Sequence, residues 1–303
     1  MTEMQPVQYR HIHNKTRFAQ QTQAQENAAK AQAEQKRPEV QIIPANRPTA
    51  IKRHRHDPVF GHHVQFNGAN GTKLRYTIGL HHGEVTRASA PELLDIKIND
   101  YCPFGCPACY QGSTTEGGHG KLEDIIYLAD LAQQAGVFEV AMGGGEPTLH
   151  PHFLEILQAF SERGIVPNFT TRNPRFLRNN WDKLLGVMGG FAVSVDHGRD
   201  VHHLGHLLEG LPREEGQINL HVIMGLISEE DFVSVLQAAE RWKMRVTLLG
   251  YKTNGRGSLF TPADHSWWLK HTLQSNVPVS IDTALALKDQ QLILDAGIDQ
   301  VMF

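Results

Sequence analysis

The sequence predicts an α/β chain built around a parallel sheet, and two observations carry that expectation. From about residue 91, short β-like apolar runs alternate with helical patterns, and such alternation means βαβ units. One unit also recurs three times: a helical stretch, a glycine, then a short apolar run. Glycine suits that place because the residue after a helix commonly takes a left-handed backbone. The 303 residues are 40% apolar and 20% charged, enough core for one large or two ordinary domains.

Residues 1–60 read as a basic, disordered arm. Residues 18–36 are almost entirely Gln, Ala, Glu and Lys, good helix formers without an apolar stripe. Prolines 38, 44, 48 and 58 keep the following stretch extended. Residues 61–90 form a lead-in, with a small hairpin expected over 74–87 turning at His81-His82-Gly83 and placed to cap the bottom of the body. The body is 91–303. Its strands are expected at 93–98, 137–142, 165–170, 190–195, 218–223, 246–249, 277–281 and 298–303. Helices are expected at 122–134, with a broad face of Ile125, Ile126, Leu128, Ala129, Leu131 and Ala132, and at 153–162. Ser228-Glu-Glu-Asp231 resembles a capping box opening a helix with Phe232, Val233, Leu236 and Ala239 inward.

Net charge is −3, unevenly spread. Residues 1–60 carry ten Lys/Arg against five Asp/Glu, and 61–303 carry nineteen against twenty-seven. An acidic body does not track phosphates. The arm is expected to be a solvated tail, with contact to nucleic acid or an acidic partner as the alternative. No apolar run approaches the ~20 residues that span a bilayer, and the N-terminus lacks the pattern of a secretory signal. Three clustered cysteines argue against a disulfide scaffold and fit a cytoplasmic protein.

All three cysteines lie in Asp95-Ile-Lys-Ile-Asn-Asp-Tyr-Cys102-Pro-Phe-Gly-Cys106-Pro-Ala-Cys109-Tyr110, spaced C-x3-C-x2-C. There is no fourth thiol for a four-thiolate site. Three thiolates can hold three irons of a cubane and leave the fourth iron open. The run follows the first body strand, so it sits on a βα loop, the face that carries chemistry in parallel α/β barrels. Pro103 and Pro107 stiffen the loop, and Gly105 lets it turn tightly.

Cys102, Cys106 and Cys109 resemble the cluster motif of the radical S-adenosylmethionine (radical SAM) superfamily. Gly143-Gly144-Gly145-Glu146-Pro147, after the second strand, resembles that superfamily's GGEP motif. The resemblance spans roughly 91–250 and implies a partial (βα)6-type TIM barrel, with room for extra C-terminal strand–helix units. It also implies a [4Fe–4S] cluster on the three cysteines, with S-adenosylmethionine chelating the open iron. One electron from a flavodoxin- or ferredoxin-like donor then cleaves the sulfonium, and the 5′-deoxyadenosyl radical abstracts hydrogen from a substrate. The Gly143–Glu146 backbone, with the Glu146 carboxylate, is the implied site of the methionyl amino group. Thr171 and Arg172 are candidates for the cofactor carboxylate. Ser194 and Asp196 resemble ribose-binding segments, and Val222-Ile-Met-Gly225 and Leu248-Leu-Gly250 are candidate adenine walls. The plain alternative for each is an ordinary buried strand end. The residue before the third cysteine is often aromatic in the superfamily; here it is Ala108, with Tyr110 as a candidate substitute.

No residue stands out as the catalytic group acting on the substrate. The expected substrate is a peptide, a protein or a small metabolite, and no cysteine beyond 109 provides for an auxiliary cluster. Activating and nucleoside-modifying enzymes are the alternatives within the superfamily. Lys252 and Arg256, in Tyr251-Lys-Thr-Asn-Gly255-Arg-Gly257, are candidates for an anionic substrate, against a plain basic loop. Eighteen histidines raise a different alternative, a non-catalytic Cys3His zinc site. It leaves 143–147 unexplained. His150 and His152 are expected as helix-entry residues, and His197 as a surface residue or an active-site neighbour. A non-catalytic relative would have been expected to lose a cysteine or Glu146; this chain keeps both.

Overall fold

The computed structural model describes residues 52–78, 87–213 and 217–298. Seven parallel strands form one sheet in sequence order: β4 (Leu93–Asn99), β5 (Glu139–Gly144), β6 (Val166–Thr171), β7 (Phe191–Ser194), β8 (Ile218–Ile223), β9 (Arg245–Leu249) and β10 (Val279–Ile281). Between them run α1 (Leu122–Gln134), α2 (Phe153–Glu162), α3 (Pro174–Leu185), α4 (Gly198–Leu207), α5 (Glu229–Trp242) and α6 (Trp268–Leu273). Two short helices, α7 (Thr283–Lys288) and α8 (Gln290–Asp295), follow β10. The sheet is open, with β4 and β10 at its edges. This is the expected α/β class, with a seventh strand beyond the six of the partial barrel. Residues 299–303 of the eighth strand candidate lie outside the described residues, and Ile298 follows α8 without strand structure.

The helices cover one face of the sheet. Val140, Met142, Phe169, Val193, Leu220, Val222, Val246 and Leu248 point into that core against residues such as Ile156, Leu177, Val201 and Phe232. The α1 stripe is narrower than its sequence promised: Ile125, Ala129 and Ala132 are buried, while Leu131 is exposed. At α5, Ser228 caps as expected, its hydroxyl accepting from Asp231 N. Val235, not Val233, completes the buried face. The pattern did not foresee α3 or α4. Asn173 caps α3, with Pro174 in its first turn. Gly205 lets α4 approach α5, since a Cβ there would lie 2.1 Å from the Trp242 ring.

A separate antiparallel sheet, β1 (Lys52–His56), β2 (His62–Asn67) and β3 (Thr72–Thr77), precedes the body. Two expectations change here. Lys52–His56 falls within the stretch read as a disordered arm and is a strand. The hairpin is also one strand earlier, β2 to β3 through a turn at 68–71, while 79–86 and the helical stretch 18–36 lie outside the described residues. The sheet does close the amino end of the body. Val64 and Phe66 pack with Phe138 and Val166. Arg53 donates to Val137 O (3.1 Å) and Gly164 O (2.7 Å), Arg55 donates to Gly136 O, Pro91 O and Ala90 O, and Lys73 pairs with Glu139. A cavity of about 160 Å³ lined by Asn70, Glu139, Asn168 and Arg245 lies at this end, away from the cysteines. Among the described residues, no helix is long and apolar enough to cross a membrane.

Candidate active site

The cysteine loop leaves the carboxyl end of β4 and folds back on itself. Asp100 N donates to Gly118 O (2.8 Å), Cys102 N to Thr114 O (2.9 Å) and Gly120 N to Ile98 O (2.8 Å). Gly105 takes a positive φ of 61°, the tight turn its place in the motif requires. Cys109 N donates to Cys106 O and Gly112 N to Cys109 O, so the second and third cysteines sit on consecutive turns. All three are free thiols of intermediate burial. Burial pushes the Cys102 thiol above its ordinary pKa, with Cys106, Glu146 and Cys109 adding to the rise. A metal would therefore have to displace its proton on binding.

Asn99, the last residue of β4, joins this loop to the end of β5. It is buried, donates through Nδ2 to Glu146 O (2.8 Å), and accepts from Gly145 N at both its backbone and side-chain oxygens (2.9 and 3.2 Å). Glu146 N donates to Tyr101 O (2.8 Å). The three glycines have different reasons. A Cβ on Gly143 would meet nothing within 4 Å, so this residue alone faces open space. A Cβ on Gly144 would lie 2.3 Å from Asn99 O, and one on Gly145 2.2 Å from Tyr101 O. Those two glycines serve the contact between neighbouring strand ends rather than approach to a ligand.

Glu146 is 2% exposed, and its carboxylate points into the protein. Oε1 accepts from Thr148 N, Thr148 Oγ1 and Thr171 Oγ1, and Oε2 accepts from Arg172 N (2.8 Å). Thr171 is itself buried, so its hydroxyl orients Glu146. The Arg172 guanidinium forks onto Asp196, Nη1 to Oδ2 at 2.7 Å and Nη2 to Oδ1 at 3.0 Å. Burial opposes the Arg172 charge, but Asp196 outweighs it and holds Arg172 above its usual value. For Asp196 burial acts upward, and Arg172 outweighs it, holding the carboxyl low.

On the sheet face away from the helices, Ser194 neighbours His221, His221 neighbours Thr247, and Thr247 neighbours Ser280 in register. Asn219 Nδ2 donates to Thr247 Oγ1 (2.7 Å), which is 2.7 Å from Ser280 Oγ. Burial holds His221 neutral, its pKa pushed down to about 4 although Asp282 pulls the other way. Sequence reading missed this polar row. Its signal was present: β8 reads Ile-Asn-Leu-His-Val-Ile, an alternation in a parallel strand, whereas a strand buried on both faces is apolar throughout.

A family model described as the Radical SAM superfamily matches residues 96–251, more than half of the chain. The chain belongs to the radical SAM superfamily. It resembles a GTP 3′,8-cyclase of Haemophilus influenzae, 28% identical over 109 residues, covering 34% of this chain and 32% of the relative. A PqqA peptide cyclase of Methylorubrum extorquens is 32% identical over 84 residues, covering 27% of this chain and 22% of the relative. These matches span a third or less of either relative's length. In fold, the chain resembles Streptococcus suis SuiB bound to the precursor peptide SuiA, with TM-score 0.61 and 12% identity over 80% of this chain and 74% of that one. SuiB bound to S-adenosylmethionine matches with TM-score 0.57, also at 12% identity. Radical SAM enzymes use a [4Fe–4S] cluster and S-adenosylmethionine.

The residues present fit those radical SAM cofactors. Among the described residues, no three His, Cys, Asp or Glu side chains converge to hold one ion, which leaves the Cys3His zinc alternative without a site. A cubane differs, because each thiolate binds a different iron and the sulfurs stand apart. The Ser113 hydroxyl, in the same loop and 4% exposed, has no hydrogen-bond partner among the described residues and is a spare donor of the kind that cluster sulfur accepts. Gly143 supplies the open backbone. Of the two candidates for an anion, Arg256 turns onto the cysteine loop rather than outward, while Lys252 is exposed with its Nζ 4.6 Å from the Tyr110 ring centroid. Tyr110 is exposed beneath Lys252, and its OH accepts from Gln111 Nε2. His150 bonds Gly120 O (2.9 Å) and precedes α2 with His152, as expected. His197 caps α4 and pairs with Asp231 at 2.9 Å.

Proposed function

We propose that Cys102, Cys106 and Cys109 hold a [4Fe–4S] cluster, and that S-adenosylmethionine binds between that loop and the ends of β5 to β8. The observation that supports this reading is the seam at Asn99 and Tyr101, which ties the base of the loop carrying three free thiols to the Gly145–Glu146 backbone. When bound and reduced by a flavodoxin- or ferredoxin-like donor, the pair supplies a 5′-deoxyadenosyl radical for hydrogen abstraction. The chain's own residues position and shield. Gly143 offers backbone to the methionyl amino group. Glu146 acts chiefly as a post, tying the β5 end to Thr171 and Arg172. Arg172 and Asp196 together present a charged pair near the cofactor's carboxylate and ribose, and Ser194 offers a hydroxyl. The row from His221 to Ser280 lines the floor with uncharged donors and acceptors.

The substrate we favour is a peptide or protein. Phe104, Tyr110, Leu226, Leu259 and Phe260 stand exposed on the segments that follow β4, β8 and β9, apolar side chains suited to a broad partner surface. Similarity to a PqqA peptide cyclase supports the same class, and similarity to a GTP cyclase keeps a small metabolite as the alternative outcome. The test is anaerobic reconstitution with iron and sulfide, then reduction with S-adenosylmethionine. The visible absorbance of an iron–sulfur cluster and release of 5′-deoxyadenosine are expected, and Cys106→Ala should lose both. A wild-type protein that binds no iron sinks the proposal.

A further inference from the structure

The loop after β9 grips the cysteine loop through one side chain. Arg256 Nε donates to Cys106 O (3.1 Å), Nη1 to Ser113 O (2.9 Å), and the Arg256 backbone N to Cys109 O (2.9 Å). One residue thus ties three points of a segment that contains no helix or strand. Two of those points are the carbonyls of cysteines.

The flanking glycines are explained by the same contact. A Cβ on Gly255 would lie 2.5 Å from Tyr110 O and 2.8 Å from Cys109 O, and its φ is +53°. A Cβ on Gly257 would lie 2.3 Å from Lys252 O, inside the turn that Tyr251 OH closes by donating to Gly257 O. Lys252 over the Tyr110 ring adds a third tie. Tyr251-Lys-Thr-Asn-Gly-Arg-Gly257 is therefore shaped to fit the cysteine loop.

We propose that Arg256 is a positioning residue for the cluster, its forked guanidinium fixing the Cys106–Ser113 segment so that two of the three thiols are held in place before iron arrives. This rests on the cluster reading above. The fork matters, because lysine keeps the charge but cannot span two carbonyls in fixed directions. The carbonyls left behind would turn to water or loosen.

The test compares wild type with Arg256→Lys, Arg256→Gln and Arg256→Ala by hydrogen exchange on the metal-free protein. Exchange over 106–113 is expected to rise about tenfold in all three variants, the effect of losing roughly one charge-assisted hydrogen bond. Exchange in β5 and β6 should stay unchanged. In reconstituted protein, loss of iron to a chelator should quicken by a similar factor. An Arg256→Lys variant that matches wild type overturns the proposal, since charge alone would then suffice. A uniform rise across the whole sheet also overturns it, since the residue would then only support the fold. If wild type holds no iron, the cluster reading falls, while the exchange pattern still decides whether Arg256 holds the loop.

Discussion

Glu146 is the most heavily committed side chain at the site. Its carboxylate has about four acceptor positions, and Thr148, Thr171 and Arg172 supply four donors. Glu146→Gln would set an amide nitrogen against some of those donors. We expect a loss of about 1–3 kcal/mol, the cost of buried groups left unpaired, read by denaturant unfolding, together with weaker S-adenosylmethionine binding by calorimetry. Asn99→Ala should cost a similar amount by orphaning Glu146 O, and Asn99→Asp should not rescue it, because a carboxylate has no donor for that carbonyl. If Asn99→Asp is as stable as wild type, the bond to Glu146 O is not what holds the seam. Sequence identity made the cysteines and Glu146 legible. Asn99 was not, and Arg256 was legible only as a candidate for an anion, since both act on backbone carbonyls whose nearness only the fold creates.

Among the elements, α1, α2 and β8 match their expected spans residue for residue, because each carries a complete periodic pattern. The helix α4 was hidden by its composition, with three histidines and two glycines among ten residues. Strand β1, Lys-Arg-His-Arg-His, has no apolar residue at all. It is held by its ladder to β2 and by Arg53 and Arg55 reaching carbonyls at the base of the body, which no hydrophobic period records. Packing of α4 on α5 gives a sharp test. Gly205→Ala improves helix propensity by about 1 kcal/mol, but its methyl would overlap the buried Trp242 ring. Overpacking costs typically about 1–3 kcal/mol, so a net loss is expected in the denaturant midpoint; a gain would mean that Trp242 moves freely. Phe66→Ala should cost about 3–5 kcal/mol by emptying the stack on Phe138, whose centroid lies 5.1 Å away, and thermal unfolding reads it.

At the scale of the molecule, the body is closed at the amino end of its strands by a second sheet and carries its chemistry-bearing loops at the other. The sheet faces differ as strongly, one apolar beneath helices and one carrying the polar row with His221. That row makes stability depend on acidity. His221 has its folded pKa lowered to about 4 from 6.5, so below 6.5 the unfolded chain takes a proton that the folded chain refuses. Its contribution is therefore complete above pH 6.5 and is lost as pH falls toward 4. His221→Gln should flatten the fall of the melting temperature between those values, and equal slopes for the two proteins would reject the assignment. The seam between β4 and β5 also limits what can be moved to another protein. Gly144 and Gly145 lie flat against Asn99 and Tyr101, so the place of residues 102–109 depends on a neighbouring strand as well as on their own turns. A graft of the cysteine motif alone would bring sulfur without aim. The smallest portable piece is β4 and β5, with the loop of one and the glycine end of the other, together with the Tyr251–Gly257 loop that grips the cysteines.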